Sequence, residues 1–301
     1  MKNASLTLGI ITYKRAGLLR DSLNSIEKII IPQNMFVNVL VVDNDIDESA
    51  KNLVNSVKDH FPLDISYVVE KEKGIPVARN KVLELCINKD YIAFIDDDDT
   101  ADEYWLLELY SSMLKYKADV VKGYVNYQFN EENKCLRKLG LFSNPQNKTG
   151  EELNSAWTNN VLFSTDVYKK NDLKFDKSFT KTGGSDSYFF NLVKKNEFKI
   201  VMCREAIVNS PVGEDRSTVM WLFKRSFRIG ANITIIDKKM LGRKASLKNL
   251  KDNFMPDLKY FFNLMKSSIK YKESFLIPFS HLSFVIGRVS GIFGYSTKEY
   301  K

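Results

Sequence analysis

The chain has 301 residues, 44% of them hydrophobic, and a net charge of +8. That is enough apolar material for one large α/β domain with a real core and a smaller appendage. Cys86, Cys135 and Cys203 are odd in number and form no CxxC pair, so they cannot all be disulfide-bonded within the chain and read as reduced buried thiols. With only His60 and His281, the composition argues against a histidine-rich zinc site.

In chain order, residues 5–11 read as a buried strand, and Leu19, Leu23, Ile26 and Ile30 then recur at helical spacing. The apolar run Phe36 to Val42 ends at Asp43. Ala50, Leu53, Val54 and Val57 mark a helix, Ile65 to Val69 a third strand, and Ala78, Val82 and Leu85 another helix. Tyr91 to Ile95 is a fourth strand, closed by Asp96, Asp97, Asp98 and Asp99. Residues 102–116 predict a helix, Val120 to Phe129 a strand, and Asn130 to Gly150 a loop-rich stretch. Ala156 to Val167 is followed by a glycine turn at Thr182-Gly183-Gly184 and a helix carrying Tyr188, Phe189, Leu192 and Val193. From about Met220 the chain reads as helical and basic.

Strands alternating with helices at this spacing imply βαβ units and a mostly parallel sheet flanked by helices. Ligands of such sheets sit beyond the carboxyl ends of the strands. The polar clusters fall there: Thr12-Tyr13-Lys14-Arg15, Asp43-Asn44-Asp45, and the four aspartates.

Four consecutive carboxylates repel one another, so a cation stabilises them, and oxygen-only ligands suit Mg²⁺ or Mn²⁺. Strand alternation sends Asp96 and Asp98 to one side and Asp97 and Asp99 to the other. The competing reading is an exposed acidic turn that caps the next helix. Asp43 can accept a hydrogen bond from a base N–H, or simply shape a turn. Arg79 follows Gly74 and Pro76 at a helix start, a place that attracts anions, although a lone arginine is more often a solvated helix residue. Asp186 follows the glycine turn, where a carboxylate can take a proton from an acceptor hydroxyl or cap the helix.

These pieces resemble, in order, motifs of the family 2 glycosyltransferases. They are Thr12 to Arg15, Val41 to Asn44, Gly74 to Asn80, Phe94 to Asp99, Trp157 to Phe163, and Gly183 to Phe189. The resemblance covers about residues 5–230. It implies the GT-A (Rossmann-like) fold and an inverting transfer from a nucleoside-diphosphate sugar, with UDP favoured by Asp43. A hexose or N-acetylhexosamine would pass to a glycan or lipid-linked acceptor in surface polysaccharide synthesis. It implies that Asp43 binds the base, with Thr12, Tyr13, Arg15, Arg79, Asp96 and Asp97 around the nucleotide. Asp98, helped by Asp96, would hold Mn²⁺ or Mg²⁺, and Asp186 would be the general base. Trp157, Asn160 and Gly184 would lie on the acceptor side. Ser185 stands where glutamate is commoner in the family, and Asn209 where many relatives carry a histidine. A nucleotidyltransferase would show a glycine-rich loop after the first strand, where only Gly17 occurs. A catalytically degenerate, membrane-associated glycan-binding or scaffold protein is the alternative.

The expected organisation is a catalytic domain over 1–230, divided at 99/100 into nucleotide-binding and acceptor-binding halves, and a basic helical region over 231–301. Residues 238–272 hold ten Lys/Arg against two Asp/Glu, a surplus equal to that of the whole chain. This favours anionic lipid over nucleic acid, since no nucleic-acid-binding module is recognisable. Residues 274–295 are apolar but carry Arg288 near the centre, which costs about 2.5–3.5 kcal/mol in a bilayer. They predict an interfacial helix, or one packed on the catalytic domain or on a second subunit in a homodimer. The apolar run Leu6 to Ile11 is too short for a signal anchor, so the expected location is cytoplasmic, peripheral at the inner membrane face.

Overall fold

A computed structural model describes residues 3–130, 136, 142, 144–216, 218–271 and 274–298. The chain packs as two units. One comprises Met1–Gln128, Asn144–Thr180 and Ser185–Pro211; the other comprises Phe129–Ser143, Lys181–Gly184 and Val212–Lys301.

The first unit holds an eight-stranded sheet of β1 (Ala4–Thr12), β2 (Met35–Asp43), β3 (Asp64–Val69), β4 (Tyr91–Ile95), β5 (Thr100–Ala101), β6 (Val120–Gln128), β7 (Asn160–Ser164) and β8 (Ile200–Pro211). Their spatial order is β3-β2-β1-β4-β7-β6-β8-β5. Neighbours run parallel except around β7, antiparallel to β4 and β6, and at β5, antiparallel to β8. The mostly parallel sheet read from the sequence is therefore present.

Both faces of the sheet are covered, which is why its strands read as continuous apolar runs rather than alternating ones. On one face Leu6, Leu8 and Ile10 of β1 share a core with α1 (Ala16–Ile26), α2 (Lys51–Lys58) and α4 (Trp105–Tyr116). On the other, Leu40, Val42 and Phe94 pack with α3 (Ile75–Leu85) and α6 (Ser185–Lys195). A four-residue helix, α5 (Asp166–Lys169), follows β7.

The register positions the site. Thr12 of β1 lies beside Asp43 of β2. Gly9 lies beside Phe94 of β4, so the residues after Ile95 emerge level with the end of β1. Several local expectations shift. Ile30 lies beyond the end of α1, and Ile29 is the buried residue there. Leu85 is exposed while Leu83 points inward, and α4 begins at Trp105 rather than at 102. Cys86 and Cys203 are free and buried, as expected; Cys135 and much of the 130–150 stretch lie outside the described residues.

The second unit carries α7 (Val219–Leu241), α8 (Arg243–Tyr271) and α9 (Leu276–Ile292). α7 and α9 approach so closely that a Cβ at Gly230 would strike the Phe284 carbonyl, and one at Gly287 the Phe227 carbonyl. The Ser226 and Ser280 hydroxyls bond across this seam at 2.6 Å. Arg288 is buried on α9 and pairs with Asp257 of α8 at 2.7 Å. No helix among the described residues is long and apolar enough to cross a membrane.

Candidate active site

The four aspartates follow β4 as a turn. Asp97 and Asp99 are buried, whereas Asp96 and Asp98 are half-buried, in keeping with the alternation read from the sequence. The Thr12 hydroxyl donates a 2.7 Å hydrogen bond to Asp97. The Arg15 guanidinium lies 3.5 Å from Asp97 and 3.3 Å from Asp98. Thr12, Arg15, Asp97 and Asp98 are thus brought together by the ends of two adjacent strands.

Crowding raises the proton affinity of this cluster. Burial, and then the charge of Asp98, push Asp96 up to about 7; Arg79 opposes the rise, and Asp97 and Asp186 add to it. Burial carries Asp97 to about 6, against the Thr12 hydrogen bond. Burial and the charge of Asp96 carry Asp99 to about 8, with Ser210 opposing. Neither Asp99 oxygen makes a well-formed hydrogen bond among the described residues.

One participant escaped the sequence reading. Lys122 of β6 is fully buried and donates to the Gly123 carbonyl at 2.9 Å. Burial lowers its pKa to about 7, while the charges of Asp99, Asp96 and Asp186 resist the fall. A single lysine within an apolar strand, Val120-Val121-Lys122-Gly123, was the available signal. Its charge is tolerable there because carboxylates surround it.

At the end of β2, Asp43 is fully buried. Its carboxylate accepts from the Asp45 N–H at 3.1 Å, the Ala50 N–H at 2.8 Å and the Tyr67 hydroxyl at 2.8 Å. Burial, and then this bond to Asp43, push the Tyr67 phenol above its ordinary value. Asn44 donates to the carbonyls of Glu70 and Glu72 and accepts from the Gly74 N–H at 2.7 Å, clamping the loop that enters α3. Tyr13 is exposed, with the Lys73 ammonium 4.8 Å from its ring centre, a wall suited to a flat base and an anionic tail. Arg79 donates to the Ser185 hydroxyl at 3.3 Å and lies over the Phe175 ring. The serine that replaces the commoner glutamate is therefore held by the arginine at the start of α3.

Asp186 lies in the first turn of α6 and accepts from the Ser187 N–H at 2.8 Å. Trp157 is 37% exposed, and the Lys122 ammonium lies 5.8 Å from its ring centre. Asn160 is fully buried. It accepts from the Trp105 indole N–H at 2.8 Å and donates to the carbonyls of Tyr124 and Ala206, both at 2.9 Å. These bonds stitch β7 to β6 and to the irregular stretch of β8, where pairing jumps from Cys203 to Ile207. A side chain at Gly123 would collide with the Asn160 amide, so Gly123 makes room for it. Asn160 thus shapes the wall from inside. Gly184 belongs to the second unit, where Gly183 and Gly184 have φ values of 68° and 93° and Asn232 of α7 donates to the Thr182 and Gly183 carbonyls. Asn209 of β8 sits beside Thr100, and its carbonyl oxygen accepts from Asn126 at 2.7 Å.

Among the described residues, no three acidic, histidine or cysteine side chains form an all-protein metal cage. A Mg²⁺-type ion needs none, since it commonly takes one or two carboxylates plus substrate phosphates. Half-buried Asp96 and Asp98 present carboxylates of the type such an ion accepts.

A family model described as glycosyl transferase family 2 matches residues 7–189. The chain is 32% identical over 227 residues to the succinoglycan biosynthesis protein ExoM of Rhizobium meliloti (strain 1021), covering 75% of this chain and 72% of ExoM. It is 23% identical over 250 residues to the glycosyltransferase AglE of Haloferax volcanii, covering 78% of this chain and 76% of AglE. Among solved structures it resembles the mannosyltransferase PcManGT of Pyrobaculum calidifontis in complex with GDP-Man and Mn²⁺, with a TM-score of 0.63 at 13% identity over 94% of this chain and 86% of that one. It also resembles S. aureus TarS 1-349 in complex with UDP-GlcNAc, with a TM-score of 0.55 at 14% identity over 96% and 92%. The structural likenesses establish the GT-A fold, and the family match spans more than half the sequence: the chain belongs to glycosyl transferase family 2.

Proposed function

We propose that this chain is an inverting, metal-assisted glycosyltransferase that moves a sugar from a nucleoside-diphosphate donor, UDP-linked in the first instance, onto a glycan or lipid-linked glycan acceptor in polysaccharide synthesis. The observation that carries this reading is the cluster of Asp97 and Asp98 with Thr12 and Arg15 at the carboxyl end of the sheet, where such sheets bind ligands. The name of ExoM supports the polysaccharide assignment. The nucleotide sugars in the TarS and PcManGT complexes support the donor class.

In this reading the acceptor hydroxyl oxygen bonds to the anomeric carbon while the bond from that carbon to the diphosphate oxygen breaks. The electron pair leaves with the nucleoside diphosphate, and the hydroxyl proton passes to the Asp186 carboxylate. Asp98 with Asp96 would hold Mn²⁺ or Mg²⁺, and such an ion would supply charge that stabilises the departing diphosphate. Arg15 and Arg79 add fixed positive charge, Tyr13 offers the base a face, and the exposed Trp157 ring offers the acceptor a platform. Asp43, with its oxygens engaged by three chain donors, holds the base-side loop and keeps acceptor capacity for a base N–H.

Thermal-shift screening of UDP-, GDP- and dTDP-sugars with Mg²⁺ or Mn²⁺, followed by transfer assays with the best donor, tests the proposal. A shift confined to donor plus ion, followed by turnover of that donor, is expected. Absence of any nucleotide-sugar binding with either ion would leave the scaffold alternative standing.

A further inference from the structure

α8 is 29 residues long, yet only Ser246 and Ser268 are buried in it. Its attachments to the rest of its unit lie on one stripe. The Ser246 hydroxyl donates to the Thr234 carbonyl, Asp257 pairs with Arg288, and the Ser268 hydroxyl donates to the Ser274 carbonyl. These positions are eleven residues apart, three helical turns each time, and so share a face.

A second stripe faces away from the first. Met255, Phe262 and Ile269 recur every seven residues and are 65%, 53% and 66% exposed. At 100° per residue they lie about 140° around the helix from the attachment stripe. Lys248, Lys259 and Lys266 border them, and α8 as a whole carries seven basic residues against Asp252 and Asp257. Asp257 is already paired with Arg288. An apolar stripe flanked by lysines, whose stems lie along apolar surface while their ammonium groups reach outward, suits the headgroup–acyl boundary of a bilayer.

We propose that the outward face of α8 is a docking surface for an anionic lipid bilayer. Charge selects this occupant. A second copy would set the same positive face against itself, and a neutral bilayer would leave the lysines without counterions. The sequence placed interfacial contact in residues 274–295. In the structure that segment contains α9, whose Gly287 face is committed to α7, and whose exposed Phe279 and Ile286 have no lysine on their helix. The proposal does not depend on the catalytic reading.

Co-sedimentation of the full chain with phosphatidylglycerol–phosphatidylcholine vesicles, compared with phosphatidylcholine alone, tests it. Binding should be about tenfold or more tighter to the anionic vesicles and should weaken with salt. Lys259→Glu with Lys266→Glu should abolish the anionic preference. Phe262→Ser with Ile269→Ser should weaken binding to the anionic vesicles, with unchanged helicity by circular dichroism. Asp98→Ala should bind vesicles as the parent does, which separates this test from the catalytic one. Equal binding to both vesicle types, binding indifferent to both double variants, or serine variants that only convert an oligomer to a monomer would overturn the proposal.

Discussion

Thr12 and Asp97 stand 85 residues apart in sequence, and the hydroxyl of the first donates to the carboxylate of the second at 2.7 Å. This bond ties the end of β1 to the turn after β4, and it holds a buried acid where the donor diphosphate is proposed to sit. Thr12→Val keeps the shape and removes the donor. Among the described residues, Asp97 would then keep Arg15, at 3.5 Å. Urea denaturation should show a loss of about 1–3 kcal/mol, the usual cost of a buried acceptor losing its partner. Unchanged stability would mean that the bond does not organise the turn.

The raised proton affinity of Asp99 makes a signed prediction. Its pKa is about 8 in the folded chain, against an ordinary carboxyl value of 3.8. As pH rises from about 4, the unfolded carboxyl ionises while the folded one stays protonated, so folding loses stability until pH passes the folded value. Lys122, lowered to about 7 from 10.5, acts with the opposite sign and only at the upper end of that window. In chelator, thermal unfolding of the parent should therefore decline relative to Asp99→Asn as pH rises from about 4 to 8, then level off. A difference independent of pH would remove burial, reinforced by the charge of Asp96, as the cause of the raised Asp99 value.

Asn160 and Trp157 separate a structural from a contact role. Asn160→Ala strands the Trp105 indole N–H and two carbonyls in the interior, and should cost about 3 kcal/mol or more. Trp157→Ala, at a partly exposed ring, should leave the melting temperature within a few degrees of the parent and raise the acceptor KM. If the two variants behaved alike in both assays, Trp157 would be part of the scaffold.

Asp186→Asn removes the proposed proton acceptor and leaves the donor side intact. Donor affinity by calorimetry should be retained, while transfer falls about 100-fold or more. Loss of donor binding together with transfer would assign Asp186 to the architecture of α6.

Residues 1–99 were the most legible part of the sequence. β1, β2 and β4 are largely buried and end in polar clusters, so Asp43 and Asp96 to Asp99 fell at strand ends in both readings. Residues 100–230 were harder. β5 is two residues long, and β8 carries Arg204 and Glu205 at an irregularity that breaks its apolar run. Asn160 was expected on the acceptor side, and the sequence carries no sign of the Trp105 indole that it faces in the interior. Lys122 escaped notice because its countercharges come from residues 23 or more positions away. The α8 stripe was hidden inside a segment whose charge was visible and whose orientation was not.

The most direct test is calorimetric titration of the preferred nucleotide sugar into the parent and into Asp98→Ala, with Mn²⁺ and then with chelator. If carboxylates beyond β4 grip an ion that carries the diphosphate, parent binding should need Mn²⁺ and Asp98→Ala should lose about 100-fold or more in affinity while keeping its melting temperature. Equal donor affinity in the two proteins, with and without the ion, would contradict the account.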